Sequence, residues 1–120
     1  MTTKRLTPTT FGAGLLEAID DADIVANGMT PPLPGLAGFV RMAELAESPG
    51  TFRPGRFGWK GGVASVLTFS GDASVNELGL TNRLFGTENA PNGDLALLAT
   101  WDSVGDPEDG PDVEGFDRID

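Results

Sequence analysis

Three side chains in one short segment carry the clearest chemical potential of this chain. Trp59 stands beside Lys60, with Arg56 three positions earlier, inside the run GRFGWKGGVASVLTFSGDASVNELGLTNRLF. An indole flanked by two cations can face a cofactor or an anionic group, and a tryptophan can relay electrons between redox centres. The same residues also fit a plainer arrangement, with the indole packed and the cations reaching water along their apolar stems. A second group is the acidic run DPEDGPDVEGFDRID. Asp106, Glu108, Asp109, Asp112 and Glu114 offer enough oxygens for calcium, which takes six to eight. Their order departs from the EF-hand loop, because Gly110 falls where an oxygen ligand belongs and no glutamate closes the loop. Met29 and Met42 offer thioethers that can serve as axial haem ligands or fill gaps in a core. Glu17 and Glu77 can act as acid–base groups if buried, and otherwise are helix-surface carboxylates.

Other chemistries are excluded by what the sequence lacks. The 120 residues include no cysteine and no histidine. Disulfides, thiolate zinc sites and haem attachment through C-x-x-C-H are therefore ruled out within these residues. So are histidine acid–base catalysis and a Ser-His-Asp triad. No P-loop occurs, and Gly12-x-Gly14 is not followed by the rest of a dinucleotide fingerprint. The net charge is −10, and residues 101–120 hold eight acidic groups against one basic. That balance disfavours nucleic acid as a partner, since binding it needs a positive surface. No apolar run approaches the length of a membrane span, and the first residues carry no long apolar segment of a signal peptide.

The elements that must position these residues are short. With 17 glycines and 9 prolines, the chain must turn often. Phe11, Leu15, Leu16 and Ile19 have helical spacing, with Thr9 or Thr10 as cap. Asp20 or Asp21 caps a second turn over 22–26, stopped by Asn27-Gly28. Residues 29–38 form a proline-rich loop. Two strands are expected at 39–45 and 51–59 around a Ser48-Pro49-Gly50 turn, with Pro54 at an edge or bulge. The longest helix is expected over 62–78, divided at Gly71-Asp72 with Asp72 capping its second piece and Gly79 ending it. Leu80, Leu84 and Phe85 follow as an apolar anchor. Asp94 caps a last helix through Leu95, Leu97, Leu98 and Trp101, and 102–120 is an acidic loop or tail.

FGAGLLEAIDDADIVANG, at 11–28, and the block from Gly55 to about Asp94 resemble the di-haem oxidoreductase family of bacteria, related to the bacterial di-haem cytochrome c peroxidases. The resemblance implies a mainly α, cytochrome-c-like helical fragment with long loops and a small β-hairpin. It implies haem c as cofactor, electron transfer as the core activity, and a periplasmic location. By position in the motif, Trp59 matches the tryptophan that lies between the haems of related peroxidases. Arg56 and Lys60 would then contact haem propionates. The family's C-x-x-C-H motifs are missing here, so the chain corresponds to a single partial domain between two haem sites, with haem attached outside it and the remainder of the di-haem protein as partner. Such a segment is not expected to be catalytic alone. GMTPPLPGLAGFVRMAELAESPG, which follows the first motif, has no close match, and Ala90 stands where the family tends to have a cysteine. If that cysteine forms a disulfide in relatives, the chain lacks a restraint of roughly 2–4 kcal/mol. Two alternatives stand beside this reading: a small acidic binding or interaction module, and a module stabilised by calcium on the acidic run.

Overall fold

The computed structural model describes residues 9–30 and 33–108. These form short helices and one two-stranded antiparallel hairpin, joined by long irregular segments. Helix α1, Ala13–Glu17, is entered through Gly12 at φ 83°, a left-handed conformation that glycine adopts without steric cost. The expected threonine cap is displaced by this glycine; Thr9 Oγ1 instead accepts from Phe11 N–H, one turn earlier. Helix α2, Asp21–Met29, is capped by Asp20, whose carboxylate accepts from Ala22 N–H at 2.8 Å. It runs through Asn27-Gly28 rather than stopping there. A side chain on Gly28 would overlap Val40, so this glycine admits the segment that packs against the helix.

Strand β1, Met42–Leu45, pairs with β2, Ser48–Pro54, but the expected turn is shifted. Leu45 pairs with Ser48, which puts the reversal at Ala46-Glu47, while Glu44 pairs with Phe52. Pro49, Gly50 and Thr51 are therefore the extra residues of a bulge, as a proline without an N–H and a glycine at φ 85° allow. Glu44 Oε1 fastens the bulge by accepting from Gly50 N–H at 2.7 Å. Pro54 ends β2 opposite Met42.

Helix α3, Val66–Ala73, starts four residues later than its apolar pattern suggests. Val63 is held instead in a β-bridge with Phe57, and Ser65 supplies the cap by accepting from Thr68 N–H at 3.0 Å. The helix continues through Gly71-Asp72 without the expected break. Gly71 is required there because Asn82 and Phe85 pack within about 3 Å of the place a Cβ would occupy. Past Ala73 the winding loosens into one π turn, Ser74–Leu78. Asp72, rather than capping, accepts from the Asn76 side chain on both its carbonyl and its carboxylate. Gly79, at φ 70°, ends the run as expected. The anchor that follows is polar at its centre. Asn82 is 1% exposed, donates to Gly71 O, and accepts from Leu84 and Phe85 N–H. Helix α4, Leu95–Trp101, is capped by Asp94 as its sequence indicates.

The apolar interior is small. Among the described residues the buried hydrophobic side chains are Ala43, Leu45, Ala64 and Val75. Phe11, Leu15, Phe39, Leu95 and Trp101 are each more than 70% exposed. The Cα radius of gyration is 17.4 Å, against about 13–14 Å for a well-packed domain of this length. Polar contacts carry much of the cohesion. Thr68 Oγ1 accepts from Ala46 N–H and donates to Glu47, docking the hairpin turn on α3. Glu17 Oε1 accepts from Val66 N–H at the start of the same helix.

Candidate functional site

The Trp59–Lys60 pair sits on a loop whose base is fixed by backbone pairing. Arg56 and Phe57 N–H both donate to Val63 O, at 2.8 and 2.9 Å, and Val63 N–H donates back to Phe57 O. Between these rungs the chain turns through Gly58, Lys60 and Gly61, all at positive φ. Lys60, at φ 58°, is one of two described non-glycine residues in that region. Trp59 lies on this turn and is 71% exposed. Phe57, at the base, lies against Phe69 of α3 with ring centroids 6.3 Å apart.

Arg56 points the other way. Its side chain is 4% exposed. It donates to Asp21 Oδ1 at 2.5 Å, to Ile19 O at 2.7 Å and to Pro54 O at 3.0 Å. Arg53 grips the same carboxylate with two donors, Nε to Oδ2 at 2.9 Å and Nη2 to Oδ1 at 3.0 Å. This bidentate pairing ties the start of α2 to the end of β2. Hydrogen bonds from Arg53, then from Arg56, lower the Asp21 pKa to about 2. The Arg53 pKa is raised in return. Arg56 Nε is buried without a hydrogen-bond partner.

The three candidates near the tryptophan therefore divide into one inward cation and an outward pair. A second outward cation joins that pair from a segment that had suggested only a strand. Arg41 Nη1 lies 3.8 Å from where a Cβ on Gly62 would sit. Arg41 and Lys60 line one cavity, with Phe39, Val40 and Ile24 as its apolar walls.

The other candidates are more scattered. Met29 is 79% and Met42 49% exposed, so neither fills a core within this chain. Glu77 is exposed on the π turn, whereas Glu17 is half-buried and bound to the α3 terminus. Burial opposes the charge of Glu47, but hydrogen bonds from Ser65 and Thr68 carry its pKa below the ordinary carboxylate value. Of the acidic run, Asp106 and Glu108 are described and Asp109, Asp112 and Glu114 lie outside the described residues. Glu88, which sequence spacing does not connect to them, comes beside both. One carboxylate oxygen from each of the three lies within 4.8 Å of the others, an arrangement able to hold a cation. Thr81 already engages two of them, donating from Oγ1 to Asp106 at 2.7 Å and from N–H to Glu108 at 2.7 Å. Burial, then the charges of Asp106, Glu108 and Asp102, push the Glu88 pKa up.

A family model described as "Di-haem oxidoreductase, putative peroxidase" matches residues 1–115. The chain belongs to the di-haem oxidoreductase family. No curated protein and no solved structure matches it. Haem c needs two thiols and an imidazole at each attachment motif. With neither cysteine nor histidine in the sequence, this chain cannot hold haem c covalently. No described helix is long and apolar enough to cross a membrane.

Proposed function

We propose that this chain walls the space between two haem sites of a c-type di-haem oxidoreductase, with both haems attached by other parts of the protein. Trp59 lies on the path between redox centres, and Lys60 and Arg56 set the local positive charge, Lys60 at the surface and Arg56 from within. The observation that carries this reading is the exposed indole on a fixed turn, inside a chain matched by the family along nearly all its length. The small interior and the exposed Phe11, Leu15 and Trp101 also favour it, because such surfaces are ordinarily covered by partner structure. The remainder of the di-haem protein is that partner, and the whole operates in the periplasm, possession of peroxidase-like activity belonging to the assembly. The test is the sequence on either side together with the haem-loaded protein. C-x-x-C-H motifs should flank the segment. Trp59→Phe should slow electron equilibration between the two haems in stopped-flow reduction while leaving their absorption spectra unchanged. Flanks without such motifs, or an unaltered rate, would overturn the reading.

The net charge of −10 supports one second reading, a non-catalytic acidic interaction module. It separates from the first by the same flanking sequence, where it expects no haem motif.

A further inference from the structure

The described residues include five cations, Arg41, Arg53, Arg56, Lys60 and Arg83. Arg53 and Arg56 are bound to Asp21, and Arg83 is also engaged. The side chains of Arg41 and Lys60 have no hydrogen bond or ion pair to any described residue, in a chain with 18 acidic side chains. Both line the same cavity, about 550 Å³ in volume, and among the described residues no carboxylate lines it. A volume of that size suits a small organic ligand. Ile24, Phe39 and Val40 form its apolar walls. Past Phe39 and Val40, a neighbouring apolar space extends along Val25 and Met29. Two cations together with hydrophobic walls match a ligand that carries both a charge and an apolar body.

We infer that this groove is a binding site for a carboxylate carried on an apolar body. Arg41 supplies a planar fork that fits a carboxylate edge, and Lys60 a compact charge beside it. The apolar body covers Phe39 and the α2 side of the groove. A singly charged carboxylate suits the site better than a phosphate dianion, because the field of a chain carrying −10 opposes each added negative charge. Both side chains line the groove from fixed backbone: Lys60 stands on the turn at φ 58°, and just before β1 Arg41 O accepts from Gly55 N–H at 2.8 Å. The inference rests on the haem-facing reading only for one source of the ligand, the propionate edge of a porphyrin; a free aryl or alkyl acid has the same chemistry.

The experiment is calorimetric titration of the full chain with two matched pairs of probes: 1-naphthoate against 1-naphthalenemethanol, and iron-free protoporphyrin against its dimethyl ester. The acid of at least one pair should bind more tightly than its neutral partner, and more weakly as salt is raised. Arg41→Gln and Lys60→Asn should each weaken that acid by about three- to tenfold and leave the neutral partner unchanged. Asparagine is chosen at 60 because it tolerates the left-handed backbone, and circular dichroism checks that both variants keep the fold. Binding of naphthoate supports a site for free acids, independent of haem. Binding of the porphyrin acid alone supports the same site with a propionate as its ligand. If acid and neutral probes bind alike in both pairs, if no acid binds, or if the double variant binds the acid as tightly as the parent chain, the inference is overturned. None of these results depends on the haem-loaded protein, so failure here and failure of the electron-transfer test are read separately.

Discussion

Two pairs of cations, all within residues 41–60, meet opposite fates in this fold. Arg53 and Arg56 converge on Asp21, and Arg56 is almost sealed from water. Arg41 and Lys60 face a cavity with no carboxylate on its wall among the described residues. The first pair joins α2 to the hairpin and is part of what holds a chain with a small apolar interior together. The second contributes nothing visible to cohesion. Charge in this molecule thus has two separable uses, and substitutions at the two places should report different properties.

The largest effect expected is on the first pair. Asp21→Ala leaves Arg56 charged and buried without its counterion, at a cost of about 3 kcal/mol in thermal unfolding. Arg56→Met removes the buried charge together with its need for a partner, and should cost less, about 1–2 kcal/mol. The reverse order would mean that the Arg56 guanidinium is not buried in solution. Acid should act on the same place. The folded-state pKa of Asp21 is depressed from 3.8 to about 2, so its stabilisation is complete above pH 4 and lost as pH falls toward 2. Because the carboxylate is partly exposed, about 1 kcal/mol is expected over that window, and Asp21→Asn should flatten the corresponding part of a stability-against-pH curve.

A smaller effect of opposite sign is expected where acids crowd one another. Glu88 has a raised pKa, so its ionisation at neutral pH works against the fold. Glu88→Gln should raise the melting temperature slightly at pH 7, by about 0.5 kcal/mol in stability, and the gain should disappear in acid, where the glutamate is already protonated. The smallest effect is expected at the unpaired cations: Arg41→Gln and Lys60→Asn should stay within about 0.5 kcal/mol of the parent chain in denaturant unfolding. A loss as large as that of Asp21→Ala would erase the distinction between the two pairs.

Local signals in the sequence located most elements. The Asp20 and Asp94 caps and the Gly79 stop stand where side-chain chemistry puts them, since each acts within one turn of chain. The β-reversal was misplaced because Ser48-Pro49-Gly50 has turn chemistry that serves equally well for a bulge. The break at Gly71-Asp72 does not occur, because Asn82 and Phe85 close over the glycine from eleven and fourteen residues away. The candidate site was half legible. Trp59 and Lys60 are adjacent, so their grouping needs no folding. The association of Lys60 with Arg41, and that of Arg53 and Arg56 with Asp21, depends on strand pairing and helix docking across distant sequence. Glu88 meets Asp106 and Glu108, both of which Thr81 binds, for the same reason.

The approach of Gly55 to Gly61 governs how the tryptophan turn can vary. A methyl group at 55 would overlap the Gly61 carbonyl, so the two backbones touch with no side chain between them. In a library randomised along this turn, position 55 should return glycine almost alone among folded members. Position 59, 71% exposed on the same turn, should accept more residue types than position 55 as far as folding is concerned. Selection for folding would therefore constrain the frame more tightly than its tip. A preference for tryptophan that emerged only under selection for activity would measure what the indole does.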